Sequence, residues 1–208
     1  MDNGIEQFWK QSALIKSLGI AILTSIGLLI LIVIGSMRQI GGNSDWAMLT
    51  SITMPTFIAL YFLPRIIEMH SKKQKEFIKI TDIKKYWLHG CFLTIFLLFY
   101  ITSFGGKFDS TTALLVLSIH YLVVSVGEEY IYRYLIIDTM KVKYGNWLSI
   151  IISALMFAFI LHNNENFMIN LAVRFPLGVL WGWVTVKTRN ISAAIVMHTV
   201  YNLMVLII

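Results

Sequence analysis

Six residues in the second half of the chain have the types and spacing to do chemistry. Glu128, Glu129 and Arg133 fall together in "VGEEYIYRYL", His162 ends "SALMFAFILH", and His198 and Asn202 lie in "AAIVMHTVYNL". All sit inside otherwise apolar runs. An ionisable group near mid-bilayer costs at least about 2.5–3.5 kcal/mol, so three in one stretch need a reason. Helical spacing sorts them. Glu129 and Arg133 are four apart, share a face and can form an ion pair. Glu128 is turned about 100° from Glu129, which leaves one carboxylate free for work. His198 and Asn202 are also four apart and share a face. The plainer alternative is that the charged residues only lock helices together and each histidine is a packing residue.

Glu128, His162, His198 and Asn202 fit the hydrolysis of a peptide bond. A carboxylate can take a proton from water while a histidine helps to hold that water. A second histidine and an asparagine amide are donors suited to a developing oxyanion. No serine or cysteine presents itself here as a nucleophile, and Cys91 stands elsewhere without an evident partner. Two histidines and a glutamate could instead form a catalytic zinc set. No HExxH is present, so the expectation is no metal and no cofactor, with zinc as the mechanistic alternative.

The elements that must position these residues are membrane helices. Of 208 residues, 57% are hydrophobic and only 13% charged, with a mean hydropathy of +0.73. A soluble domain would be about a quarter charged. The expected fold is all-α, a polytopic transmembrane bundle of about seven spans near 14–36, 46–63, 87–104, 111–139, 146–162, 167–187 and 190–208. Residues 1–208 then form a single membrane domain, and residues 110–208 carry the motifs. The first apolar run is longer than a signal-peptide core and reads as a retained span. Pro55 and Pro176 fall inside spans, where kinks are tolerated if neighbours re-satisfy the backbone. The polar segment 65–86 reads as a basic loop or a surface-lying helix against anionic lipid. Thirteen of the 17 Lys and Arg lie on one set of flanks, and only Arg38 and Lys107 on the other. That bias predicts a cytoplasmic N-terminus and an external C-terminus. At ~1.5 Å per residue, Glu128 lies ~17 Å from its nearest cytoplasmic turn, His162 ~24 Å, His198 ~12 Å and Asn202 ~18 Å. With tilt, the four can meet at one depth. His70 reads as solvated, His89 as an interface anchor, and His120 as a residue that could line the same cavity. Gly178 and Gly182 form a GxxxG pair suited to close helix packing.

These residues resemble the CPBP or Abi family, which comprises CAAX prenyl endopeptidases and bacteriocin-processing enzymes. "EEYIYR" is similar to its EExxxR motif and "HTVYN" to its HxxxN motif. The middle FxxxH motif departs, because position 158 is Ala and the phenylalanines are Phe157 and Phe159. That implies a shifted aromatic contact beside His162. The "RFPLGVLWGWVTVKTRN" stretch is similar to the family's Gly-bearing helix, with Arg189 where a glycine is common. The resemblance covers about residues 110 to 208. It implies an intramembrane glutamate-type endopeptidase. Glu128 would activate water with His162, His198 and Asn202 would form the oxyanion hole, and Glu129 and Arg133 would support the site.

The expected substrate is a hydrophobic or lipid-associated peptide. By family analogy it is the leader peptide of a bacteriocin or pheromone rather than a prenylated protein. The expected setting is a bacterial plasma membrane, with membrane lipid as the other partner and no nucleic acid. The alternative functional class is a non-catalytic bacteriocin-immunity or regulatory scaffold. A small transporter or proton relay ranks last, since no inverted repeat is visible.

Overall fold

The computed structural model describes residues 2–38, 45–66, 83–108 and 110–208. Residues 67–82 hold most of the basic segment, including His70, so its expected surface placement lies outside the described residues. Among the described residues the chain is all-helical, without strands. Helix α1 spans Asp2–Arg38. Helix α2 covers 45–66, and α3 covers Ile83–Phe104. Then come α4 over 111–144, α5 over 146–161, α6 over 167–188, and α7 over Ser192–Val205.

Five helical stretches are long and apolar enough to cross a membrane: Ala13–Gly35, Leu49–Ile66, Lys84–Lys107, Thr111–Leu161 and Phe167–Thr188. The chain is a membrane protein. A count of seven spans goes beyond this, because α7 is shorter than the others and α4 and α5 run together. As one rod, Thr111–Leu161 would measure roughly 77 Å, well over twice the ~30 Å hydrocarbon core. The rod is broken at Gly145, whose φ of 71° and ψ of 179° leave the helical region. Positive φ is open to glycine at little cost. The chain therefore turns there, at the last residue of the expected 140–145 break, and α4 runs a few residues past 139. Lysine is a good helix former, and α4 continues through Lys141 and Lys143.

The outward faces of α1 and α3 are apolar and exposed, with Leu23 69%, Leu29 67%, Trp87 71% and Ile95 67% exposed. Surfaces of this kind suit lipid. Polarity is turned inward instead, with Ser17, Ser51, Thr53, Thr56, Ser125, Ser153, Thr185 and Thr199 all buried. Small polar residues let membrane helices approach closely and bond across the contact. Tyr100 Oη of α3 donates to the carbonyl of Leu203 on α7 at 2.6 Å. Ser153 Oγ of α5 donates to the carbonyl of Tyr132 on α4. His89 of α3 pairs through Nδ1 with Ser192 Oγ at the start of α7, 2.6 Å away.

The centre of the bundle is α4. Gly127 to Ile137 are buried apart from Leu135, so the motif segment is well shielded among the described residues. Two features bring neighbours onto it. A Cβ on Gly127 would overlap the side chain of Leu60 on α2. A Cβ on Gly178 would sit 3.1 Å from Ala154 Cβ and 3.4 Å from Arg133 NH2, and one on Gly182 would sit 3.0 Å from Ile150 Cγ2. The GxxxG pair is thus the tight seam between α6 and α5. Neither proline stands in an unmodified helix. A π-helical turn over Leu49–Thr53 precedes Pro55, and another over Asn170–Arg174 precedes Pro176. Proline removes an N–H and crowds the carbonyl four residues back, and a widened turn relieves both.

Candidate active site

Four of the predicted residues are in direct contact. Glu129 and Arg133 are fully buried, and Arg133 Nε lies 3.3 Å from Glu129 Oε2. The other carboxylate oxygen of Glu129, Oε1, is 2.9 Å from Nδ1 of His198 on α7. The second ring nitrogen of His198, Nε2, faces Glu128 Oε2 at 3.6 Å. The imidazole is therefore clasped between the two adjacent glutamates, one at each nitrogen. A carboxylate at Nδ1 fixes ring orientation and leaves Nε2 as the nitrogen turned to the other side.

Aromatic rings fix His198 in the remaining directions. The indole of Trp181 stacks on it, with ring centroids 4.2 Å apart and planes 21° apart. Phe157 meets its edge at 5.8 Å. The Arg133 guanidinium makes no hydrogen bond beyond its ion pair, yet it lies 4.7 Å over the Phe157 ring and 5.9 Å from that of Trp181. Cation–π attraction strengthens when the pair is desolvated, and here it compensates a buried cation that has one carboxylate partner.

His162 closes α5, where the backbone leaves the helix at φ −101° and ψ 36°. Its ring packs edge-on against Phe157, with centroids 5.1 Å apart. Phe157 is thus in contact with both histidines. A π-helical turn runs over Phe157–Leu161. In an α-helix the residue four before His162 shares its face, and here that residue is Ala158. The wider turn, bonded i to i+5, brings the residue five before it into that place. The missing phenylalanine of the FxxxH pattern is supplied by Phe157.

Nothing among the described residues joins Glu128 directly to His162. Asn202 is half-buried one helical turn beyond His198, without a described side-chain partner. His120 pairs through Nδ1 with Thr53 Oγ1 on α2 at 3.1 Å. Cys91 is exposed on α3, away from these groups. Among the described residues, no group of three or more His, Cys, Asp or Glu is arranged to hold a metal ion.

Two further residues belong to this region and carried no assigned role in the sequence. Asn170 is 2% exposed, and its Nδ2 donates to the carbonyl of His162 at 2.8 Å. Arg174 NH1 donates to Asn170 Oδ1 at 2.9 Å, and its NH2 lies 3.7 Å from Glu165 Oε1. The last carbonyls of a helix lack partners within it, so α6 reaches across to cap the end of α5 at His162. The Arg174 charge also acts on both Glu128 and His162. The four-residue spacing of Asn170 and Arg174 was a readable signal. Their target on a neighbouring helix was not.

Residues 110–204 match the family model described as type II CAAX prenyl endopeptidase, Rce1-like. This segment is similar to the CPBP/Abi family of CAAX-type membrane proteases. The match begins just before α4 and takes in all the motif residues. Helices α1 to α3 lie outside it. No curated protein and no solved structure matches the chain. The family is one of intramembrane proteases, and the EExxxR, histidine and HxxxN residues of this chain fall within it in order.

Proposed function

We propose that the chain is an intramembrane endopeptidase in which Glu128 activates the attacking water. The observation that carries this reading is the pairing around His198. Glu129 is consumed by Arg133 and by Nδ1, while Glu128 Oε2 is buried and makes no hydrogen bond to the protein. One carboxylate is structural and the other is available. Glu128 would take the proton of a water shared with His162. His198 Nε2 and the Asn202 amide would donate to the oxyanion of the tetrahedral intermediate. The proton held by Glu128 would pass to the leaving amine. Glu129 and Arg133 would hold His198 and α4 in register.

The substrate in this reading is a hydrophobic or membrane-associated peptide, such as the leader of a secreted peptide. The membrane is a bacterial plasma membrane crossed about seven times, with the N-terminus inside and the C-terminus outside. The Lys and Arg bias supports that orientation.

The test compares secreted and membrane peptides by mass spectrometry in cells carrying the native chain or Glu128→Gln. The expected result is a peptide cleaved only with the native chain. Asn202→Ala should lower its rate by about 10²–10³, the usual cost of one oxyanion donor. Stoichiometric zinc in the purified protein, with activity lost to a chelator and restored by zinc, would replace the metal-free mechanism. Identical peptide profiles, with any immunity or signalling phenotype surviving Glu128→Gln, would overturn the protease reading in favour of a scaffold.

A further inference from the structure

The tight α5–α6 seam ends in a second feature. A cavity of about 340 Å³ opens between Asn146, Trp147 and Ile150 at the start of α5, Trp183 and Lys187 near the end of α6, and Arg189 just beyond it. Asn146 stands 16 residues before His162, or about 24 Å along the helix axis. The cavity therefore lies at the opposite end of α5 from that histidine, at the level where spans end and begin.

Its chemistry is of one sign. Two cations line it and no carboxylate does. Lys187 Nζ is held 4.7 Å over the Trp183 ring. Arg189 has the left-handed backbone, φ 55° and ψ 32°, and its N–H closes α6 on the carbonyl of Thr185. Glycine or asparagine suits that position best. An arginine kept in a sparsely populated conformation suggests a use for its side chain. Two more lysines stand at the same corner: Lys141 interacts with the Asp138 carboxylate and with Arg189, and Lys85 Nζ donates to the carbonyl of Thr188 at 2.9 Å.

The remaining wall is greasy. Trp147 is 63% exposed and Trp183 38% exposed, and exposed indoles at span ends mark the membrane interface. A ligand that satisfies both halves must be anionic at one end and apolar at the other. We propose that this cleft seats the headgroup of an anionic phospholipid, its phosphate between Lys187 and Arg189 with the Asn146 amide beside it. The glycerol and first acyl carbons then lie over the two indoles and Ile150. Basic pockets between membrane helices are suited to such headgroups. A free phosphate would meet the cations but leave the apolar wall without a partner.

The test is native mass spectrometry of the full chain in detergent with an equimolar mixture of dioleoyl phosphatidylglycerol and dioleoyl phosphatidylcholine. One phosphatidylglycerol should be retained with about tenfold preference, equivalent to about 1.4 kcal/mol. The double variant Lys187→Gln, Arg189→Asn should lose that preference, with asparagine keeping the left-handed turn. Lys107→Gln, at the far end of α3, should leave it unchanged. Equal retention of the two lipids, or a double variant as selective as the native chain, would overturn the proposal. Displacement of the lipid by an equal concentration of inorganic phosphate would do so too, marking a simple anion site. Should the double variant fail to fold, the native chain still decides. Phosphatidylglycerol with brominated chains should quench its tryptophan fluorescence more than brominated phosphatidylcholine does, and Trp147→Phe with Trp183→Phe should remove the excess. No excess in the native chain refutes the site.

Discussion

Removing the charge of Arg133 should cost more stability than the loss of one contact suggests. Arg133→Met keeps most of the aliphatic stem and deletes the guanidinium, which lies against Gly178 and over Phe157. Glu129, with no exposure of its own, then keeps its carboxylate with only His198 beside it. Breaking a buried pair from one side costs about 3–5 kcal/mol, because an uncompensated charge stays behind. For a domain of this size about 2–4 °C accompanies each kcal/mol, which gives a fall in Tm of roughly 6–20 °C. The double variant Glu129→Gln, Arg133→Met replaces the pair with neutral groups of similar size. Replacing both partners is often nearly neutral, so the double variant should recover more than half of the loss. The assay is thermal unfolding in detergent followed by tryptophan fluorescence. A single variant within about 1 °C of the native Tm would refute the buried-pair argument, given the expected slope. A double variant no more stable than the single one would refute the compensation.

Two other outcomes follow from the same geometry. Gly178→Val should destabilise the protein by about 1–3 kcal/mol through overpacking, because its side chain would be driven into Ala154 and Arg133 NH2; a melting temperature equal to the native one would show that the seam can open. Asn170→Ala leaves the His162 carbonyl and the Arg174 guanidinium without the amide between them, at about 1–3 kcal/mol for a buried unsatisfied group. The cleavage rate should fall with it while substrate affinity is kept, and Asn170→Gln should not rescue, since the longer side chain misplaces the amide.

Much of the site was legible because it rests on helical periodicity. The pairing of Glu129 with Arg133 follows from a spacing of four, and the burial of both follows from the apolar run around them. What periodicity could not supply is which helix meets which. The clasp of His198 between two adjacent glutamates needs α7 to lie across α4 at one level, and the two carboxylates reach it from different faces of α4. Trp181 shows the same limit. As one of six tryptophans it reads as belt or core, and only the packing of α6 makes it the plate under His198. The break between the fourth and fifth spans falls within the expected 140–145, at its last residue, Gly145.

The middle motif is the most instructive departure. A reading locked to 3.6 residues per turn finds alanine where the pattern wants phenylalanine, and takes the aromatic contact as displaced. The contact is in place. The helix has changed its period over Phe157–Leu161 instead, so that a spacing of five does the work of four. Such turns are uncommon overall and gather where a side chain must be aimed. In this chain they recur at Tyr130–Ile136 after the paired glutamates, before His162, and at Asn170–Arg174 beneath its cap. These three lie next to residues of the proposed chemistry, whereas the two on α2, Leu49–Thr53 and Ile58–Phe62, do not. A motif scored by fixed spacing would mark His162 as orphaned. A motif scored by which ring touches which finds Phe157 in contact with both His162 and His198. Substituting Phe157 should therefore disturb the two histidines and Arg133 together, whereas Phe159, which packs against Phe167, should be replaceable by leucine with little effect on the site.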